Sequence, residues 1–275
     1  MTQLIFLKLG GSLITDKTQP YTPRLDVLDD LARQIRAVLQ TNPGISLVLG
    51  HGSGSFGHTA ARKYNTRDGL QAGQARQPEQ SNAYWHGFSE VWLQASALNR
   101  HVMEALHRAG VASLALAPVA AVTAHDGKVS NWDLRPLRAA LAAGILPVVY
   151  GDVIFDSVRA GTILSTEDLF ENLAEQLHPQ RILLAGLEGA VWADFPERKQ
   201  RVEKITPASF DEVKARVGQS HAADVTGGME SKVRQMLTLV QSQPGLTVQI
   251  FSGEAAGNIQ KALAGQNMGT ILAAS

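Results

Sequence analysis

With 275 residues, 44% of them hydrophobic, the chain can build a sizeable core, and its 25 Lys plus Arg balance 25 Asp plus Glu, which excludes a global basic field for nucleic acid or an anionic membrane. The lack of cysteine removes a disulfide framework, a thiolate nucleophile and Cys-ligated zinc. No apolar stretch approaches the roughly 20 residues of a membrane span, and Met1, Thr2 and Gln3 carry no basic leader region, so a cytoplasmic enzyme is expected.

Leu4 to Leu9 reads as a buried strand that ends in Gly10 and Gly11. Leu25, Leu28, Leu31, Ile35, Val38 and Leu39 then recur at three- and four-residue spacing, which predicts an amphipathic helix over Arg24 to Gln40. A second strand, Ile45 to Leu49, runs into Gly50, Gly52, Gly54 and Gly57. The polar stretch Asn65 to Gln80 is the longest irregular piece and is expected to form a mobile loop over a site. A long helix follows from about Ser81 to Ala109, with Tyr84, Phe88 and Trp92 on one face beside Trp85. Ala112 to Ala117 and Ile145 to Tyr150 are apolar runs. Ser165, Thr166, Glu167 and Asp168 make a capping-box pattern ahead of Leu169 to Leu177. Strand Ile182 to Ala185, helix Glu230 to Gln241, strand Thr247 to Phe251, a short helix near Asn258 to Leu263 and strand Thr270 to Ala273 complete the chain. Strands alternating with helices predict an α/β fold with a mostly parallel central sheet covered on both faces, a three-layer αβα sandwich. No linker or repeat divides it, so one domain, with room for two lobes, is expected.

In an open parallel sheet, ligands bind beyond the carboxyl ends of the strands. Three glycine clusters have that position: Lys8-Leu-Gly-Gly-Ser12, His51-Gly-Ser-Gly-Ser-Phe-Gly-His58 and Thr226-Gly-Gly-Met229. Each could be an ordinary turn, but three together suggest backbone amides arranged around phosphate oxygens. There is no Walker A pattern. Gly52, Gly54 and Gly57 match the dinucleotide spacing by letter, yet no acidic ribose-binding residue follows about 20 residues on. Lys8 stands in or at the end of an apolar strand, where a buried ammonium needs an anion. Lys17 lies in the next loop, and Lys232 sits in the first turn of a helix, a place unfavourable to a cation unless an anion offsets the dipole. Solvated lysines are the ordinary alternative for both. Asp152 after Gly151 could hold lysines or magnesium, or cap a turn. His58 closes the second glycine turn where an anion would sit; no histidine pairing supports zinc.

These motifs, together with Ile14-Thr-Asp-Lys17, Tyr150-Gly-Asp-Val153, Ile163-Leu-Ser-Thr-Glu-Asp168 and Asp224-Val-Thr-Gly-Gly-Met229, occur in one order. Over nearly the whole chain they resemble the amino acid kinase superfamily and, within it, the isopentenyl phosphate kinases. The resemblance implies transfer of the γ-phosphoryl group of ATP, with Mg2+, to isopentenyl phosphate in an alternative mevalonate route, by a homodimer. Lys8 and Lys17 would hold the transferring group, and Asp152 would orient those lysines. Gly10, Gly11, Gly227, Gly228 and Lys232 would hold nucleotide phosphates. Gly54, Ser55, Gly57, His58 and Gly151 would surround the acceptor, with His58 on its phosphate. The N-terminal part would carry the acceptor site and the C-terminal part the nucleotide site. The chain departs from the family at Ala185-Gly-Leu-Glu-Gly189, usually Thr-Asp-Val-Asp-Gly, at Ser53, usually glycine, and at Ser165-Thr-Glu-Asp168, usually Ser-Gly-Asp-Asp, so that only Ser165 and Asp168 of the last motif carry over. A relative of fosfomycin kinase, or a non-catalytic nucleotide-binding protein of the same fold, remain the alternatives.

Overall fold

The computed structural model describes residues 2–195, 197–216 and 228–275, with the backbone alone at 72, 74 and 214–216. Its first half runs β1 (Gln3–Leu9), α1 (Gly11–Ile14), α2 (Leu25–Thr41), β2 (Ile45–His51), α3 (Gly54–Tyr64), α4 (Ala72–Ala75) and α5 (Pro78–Arg108). Then come β3 (Ser113–Ala115), β4 (Val122–His125), β5 (Lys128–Trp132), α6 (Arg135–Ala142), β6 (Leu146–Tyr150), β7 (Asp152–Asp156) and β8 (Ala160–Leu164). The rest is α7 (Thr166–Leu177), β9 (Arg181–Gly186), β10 (Lys204–Ile205), α8 (Phe210–Arg216), α9 (Met229–Ser242), β11 (Thr247–Ser252), α10 (Asn258–Leu263) and β12 (Thr270–Leu272).

Eight strands form the main sheet in the order β10-β12-β11-β9-β1-β2-β6-β3. All its pairs are parallel except β11 with β12. The strand period of two divides the core: Ile5, Leu7 and Leu9 of β1 pack with α2, α5 and α10, while Phe6 packs with α7 and α9 on the other face. That division is the expected αβα sandwich, and it aligns the carboxyl ends of β1, β2, β6 and β9 along one edge of the sheet. No helix among the described residues is long and apolar enough to cross a membrane.

Three features differ from the sequence reading. A second sheet, β5-β4-β7-β8, stands beside the first. Its strands are short and partly polar, so hydrophobic runs do not reveal it, although Asp126-Gly127, both at positive φ, is the hairpin signal between β4 and β5. The stretch from Asn65 to Gln80 is built rather than irregular. It holds a 3-10 turn over Thr66–Asp68, the short α4 and the start of α5, and it is tied to β8 by Thr162 Oγ1 donating to the Arg67 carbonyl at 2.8 Å. The buried face of α5 carries Tyr84, Phe88 and the aliphatic Val91, whereas Trp92 is 42% exposed. Spacing of 3.6 residues carries the stripe from Phe88 to Val91 and Ala95, leaving Trp92 beside it.

Candidate active site

The two glycine turns after β1 and β2 press backbone on backbone. A side chain at Gly11 would collide with the Gly54 backbone, and Gly54 itself has φ +51° and packs against Thr15. Only glycine meets both demands. The Thr15 hydroxyl accepts from the Ser55 amide at 3.0 Å and donates to the Gly11 carbonyl at 2.7 Å, which locks the turns together.

A cleft of about 300 Å³ opens over these turns. Lys8, Gly10, Gly11, Lys17, Gly54, Gly57, His58, Gly151, Gly228 and Lys232, all expected from the sequence, line it. Gly227 lies outside the described residues. Ser55 is not brought to the cleft: it is buried, its amide serves Thr15, and its hydroxyl accepts from the Thr22 amide at 3.4 Å. Beyond the expected set the cleft adds Arg67, Glu167 and an apolar wall of Ala61, Val91, Ile163 and Leu164. Its lining also includes Ala185 to Glu188 of the departure from the family pattern, with Trp192 and Phe195.

Glu167 is the residue the sequence reading passed over. It lies in the first turn of α7, its side chain 7% exposed, and its carboxylate pairs with the Lys8 ammonium through one oxygen and approaches Lys232 Nζ at 3.8 Å through the other. Burial pushes its pKa up, but Lys8 and Lys232 outweigh burial and hold the carboxyl below its ordinary value. The same α7 turn carries the predicted capping box, with Asp168 Oδ2 accepting from the Ser165 amide at 2.7 Å and Ser165 Oγ accepting from the Asp168 amide at 3.1 Å.

Asp152 is the correction. It opens β7 rather than a loop, is fully buried, and its carboxylate accepts from the amides of Val153 at 2.8 Å and Val119 at 3.5 Å. It is not among the residues that line the cleft, and the carboxylate found against Lys8 and Lys232 there is that of Glu167. Burial pushes the Asp152 pKa up to about 7, with the two amides acting in the opposite direction. Because folding raises this pKa, the fold favours the protonated form. The stabilising contribution is complete below pH 4 and is lost as pH rises through about 7. The advantage of Asp152→Asn over the parent is therefore expected to grow by roughly 1.4 kcal/mol per pH unit across that range. Urea unfolding of both proteins between pH 4 and pH 8 checks this, and parallel pH profiles would contradict it.

His51 supports the turn from below. Its ring is buried, stacks on Tyr150 at 5.3 Å and bonds Asn99 Oδ1 at 3.1 Å, and burial pushes its pKa down.

Comparison with known proteins gives the same frame. The model of the amino acid kinase family matches residues 3–252. The chain belongs to that family. Among its relatives, the isopentenyl phosphate kinase of Methanothermobacter thermautotrophicus is 32% identical over 268 residues, covering 96% of this chain and 97% of that one. The isopentenyl phosphate kinase of Haloferax volcanii is also 32% identical, covering 98% of each. A solved structure of isopentenyl phosphate kinase superposes with a TM-score of 0.82 at 29% identity over 98% of this amino acid kinase family member and 99% of that chain.

Proposed function

We propose that the protein transfers the γ-phosphoryl group of ATP to isopentenyl phosphate, giving isopentenyl diphosphate and ADP. The observation that carries this reading is one cleft in which Lys8, Lys17, Lys232 and His58 face glycine turns, continued by an apolar wall of Ala61, Val91 and Ile163. A dianionic head and a short hydrocarbon tail match those two halves.

An oxygen of the acceptor phosphate attacks the γ-phosphorus, the bond to the β–γ bridging oxygen breaks, and ADP leaves with that electron pair. The nucleophile is already anionic near neutral pH, so no general base is needed. The transition state is loose, and catalysis consists of positioning and positive charge. Lys8 and Lys17 would hold the transferring group. Lys232 and the amides near Gly10, Gly11 and Gly228 would hold the nucleotide phosphates, and His58 with Gly54, Gly57 and Gly151 would surround the acceptor phosphate. Glu167 would hold Lys8 through one carboxylate oxygen and draw Lys232 towards the other.

The described residues do not gather three His, Asp or Glu side chains for a metal, and Glu167 is engaged by its lysines. These residues do not fit a protein-held Mg2+ site; the ion would arrive as part of the Mg-ATP substrate, bound to phosphate oxygens. The resemblance carries the further expectations of a cytoplasmic homodimer and a place in isoprenoid precursor synthesis.

A panel of isopentenyl phosphate, dimethylallyl phosphate, fosfomycin and acetylglutamate, each with Mg-ATP, tests the acceptor. Preference for fosfomycin or a carboxylate in kcat/KM would overturn the substrate and leave the family intact. His58→Ala should lower kcat/KM for isopentenyl phosphate by roughly 10- to 150-fold, the loss of a charge-assisted hydrogen bond worth about 1.5 to 3 kcal/mol, and leave ATP binding nearly unchanged. His58→Gln should recover part of that loss. Equal damage to both substrates together with a lowered Tm would instead make His58 a structural residue.

A further inference from the structure

Gln235 has no part in the chemistry above, yet its side chain meets the turn that carries Glu167. It lies on α9, three residues after Lys232, so the two share a face of the helix. Its Nε2 donates to Asp168 Oδ1 at 2.9 Å and to Glu171 Oε2 at 2.8 Å. Both acceptors are on α7, one directly after Glu167. Asp168 is itself fixed: its other oxygen accepts from the Ser165 amide at 2.7 Å and hydroxyl at 2.8 Å, and Arg67 of the cleft wall stands 4.0 Å away.

We propose that Gln235 is a positioning residue for phosphoryl transfer: by tying α9 to Asp168 and Glu171 it sets where Lys232 stands beside Glu167. The proposal rests on the reading that Lys232 meets the nucleotide phosphates. Lys232 is a long side chain, 31% exposed, and its ammonium is 3.8 Å from Glu167, beyond hydrogen-bond range. Such a contact does not fix the lysine by itself, since a flexible four-carbon stem can place the charge in many positions. The path of α9 sets where that stem starts, and so which positions beside Glu167 the ammonium reaches. Val233 and Met236 anchor the helix in the core cluster that holds Leu169 and Phe170 of α7, and Gln235 adds a polar tie to the first two turns of α7. Both hydrogens of its amide are used on carboxylates, and the amide bridges two like charges without adding a cation that would compete with Lys232 for Glu167.

A double-mutant cycle over Gln235→Met and Lys232→Met tests this, read as kcat with isopentenyl phosphate, as the calorimetric Kd for Mg-ATP, and as Tm. Methionine keeps the length of the side chain and removes the donors. Gln235→Met alone should lower kcat by about 10-fold and weaken Mg-ATP binding by about threefold, but change each by less than twofold when Lys232 is already methionine. The same factors in both backgrounds, or a normal kcat in Gln235→Met, would overturn the proposal, since a merely structural glutamine costs the same with or without the lysine. If Gln235→Met does not fold, Glu171→Ala removes one of the two acceptors and enters the same cycle, with a smaller loss that must again vanish in Lys232→Met. A parent protein inactive on isopentenyl phosphate would sink the acceptor reading alone, because the calorimetric cycle measures Gln235 without an acceptor.

Discussion

Glu167→Gln is expected to lower stability by about 3 to 5 kcal/mol and kcat by roughly 100-fold or more. The carboxylate neutralises Lys8, whose side chain is 11% exposed, and lies against Lys232. An amide of the same shape leaves two ammonium groups facing each other across a buried dipole, and the cost is that of an uncompensated charge rather than of one lost hydrogen bond. In a chain of this size the stability loss corresponds to a fall in Tm of roughly 10 °C. Glu167→Asp keeps the charge but is one methylene shorter, so it should hold one lysine and lose the other, with an intermediate Tm. Because the pKa of Glu167 is held below its ordinary value, the pair's contribution is present above that value and is lost as pH falls through the folded one. A Glu167→Gln protein with the parent's Tm would show that the two contacts carry no net stability.

Lys8→Met should lower kcat by roughly 100-fold or more while Mg-ATP affinity changes less, because the charge is used most as the phosphoryl group passes between donor and acceptor. This variant also strands Glu167 beside Lys232 alone, so part of any loss could come from a weakened fold. Lys8→Met combined with Glu167→Gln separates the two effects. Replacing both members of a buried pair by neutral groups is far less costly than removing one, so the double variant should regain most of the Tm lost in Glu167→Gln and none of the kcat. Recovery of activity together with stability would make Lys8 a structural residue. Calorimetric unfolding and single-turnover kinetics on the four proteins measure both quantities.

The legible parts of this molecule are those whose cause is local. The strand Leu4 to Leu9, its breaking glycines and the Ser165-to-Asp168 capping box are written in neighbouring residues, and the structure has β1, the turn and the box in those places. Lys8 could be singled out because an ammonium in an apolar strand needs a partner. Its partner could not be read: Lys8 and Glu167 are 159 positions apart, and in the sequence Glu167 looks like one acidic residue of a helix start. The signal available was chemical. A second lysine, Lys232, at a helix N-terminus and a carboxylate one residue before Asp168 make a complementary set, but only the folded chain shows that they converge. Asp152 misled for the opposite reason. A carboxylate after a strand-ending glycine resembles a loop residue at a ligand site, yet β7 starts at that residue and turns the side chain into the core. Trp92 illustrates phase. An i, i+4, i+8 series drifts off a helix face, and Val91 rather than Trp92 continues the buried stripe and lines the cleft.

Following the phosphorus-31 NMR spectrum of the parent protein with Mg-ATP and isopentenyl phosphate tests the central claim most directly. Loss of the monoester resonance with appearance of the two coupled resonances of an alkyl diphosphate, one per ADP formed, is the predicted result. ADP formed together with inorganic phosphate while the monoester persists, or no consumption of ATP at all, would contradict it.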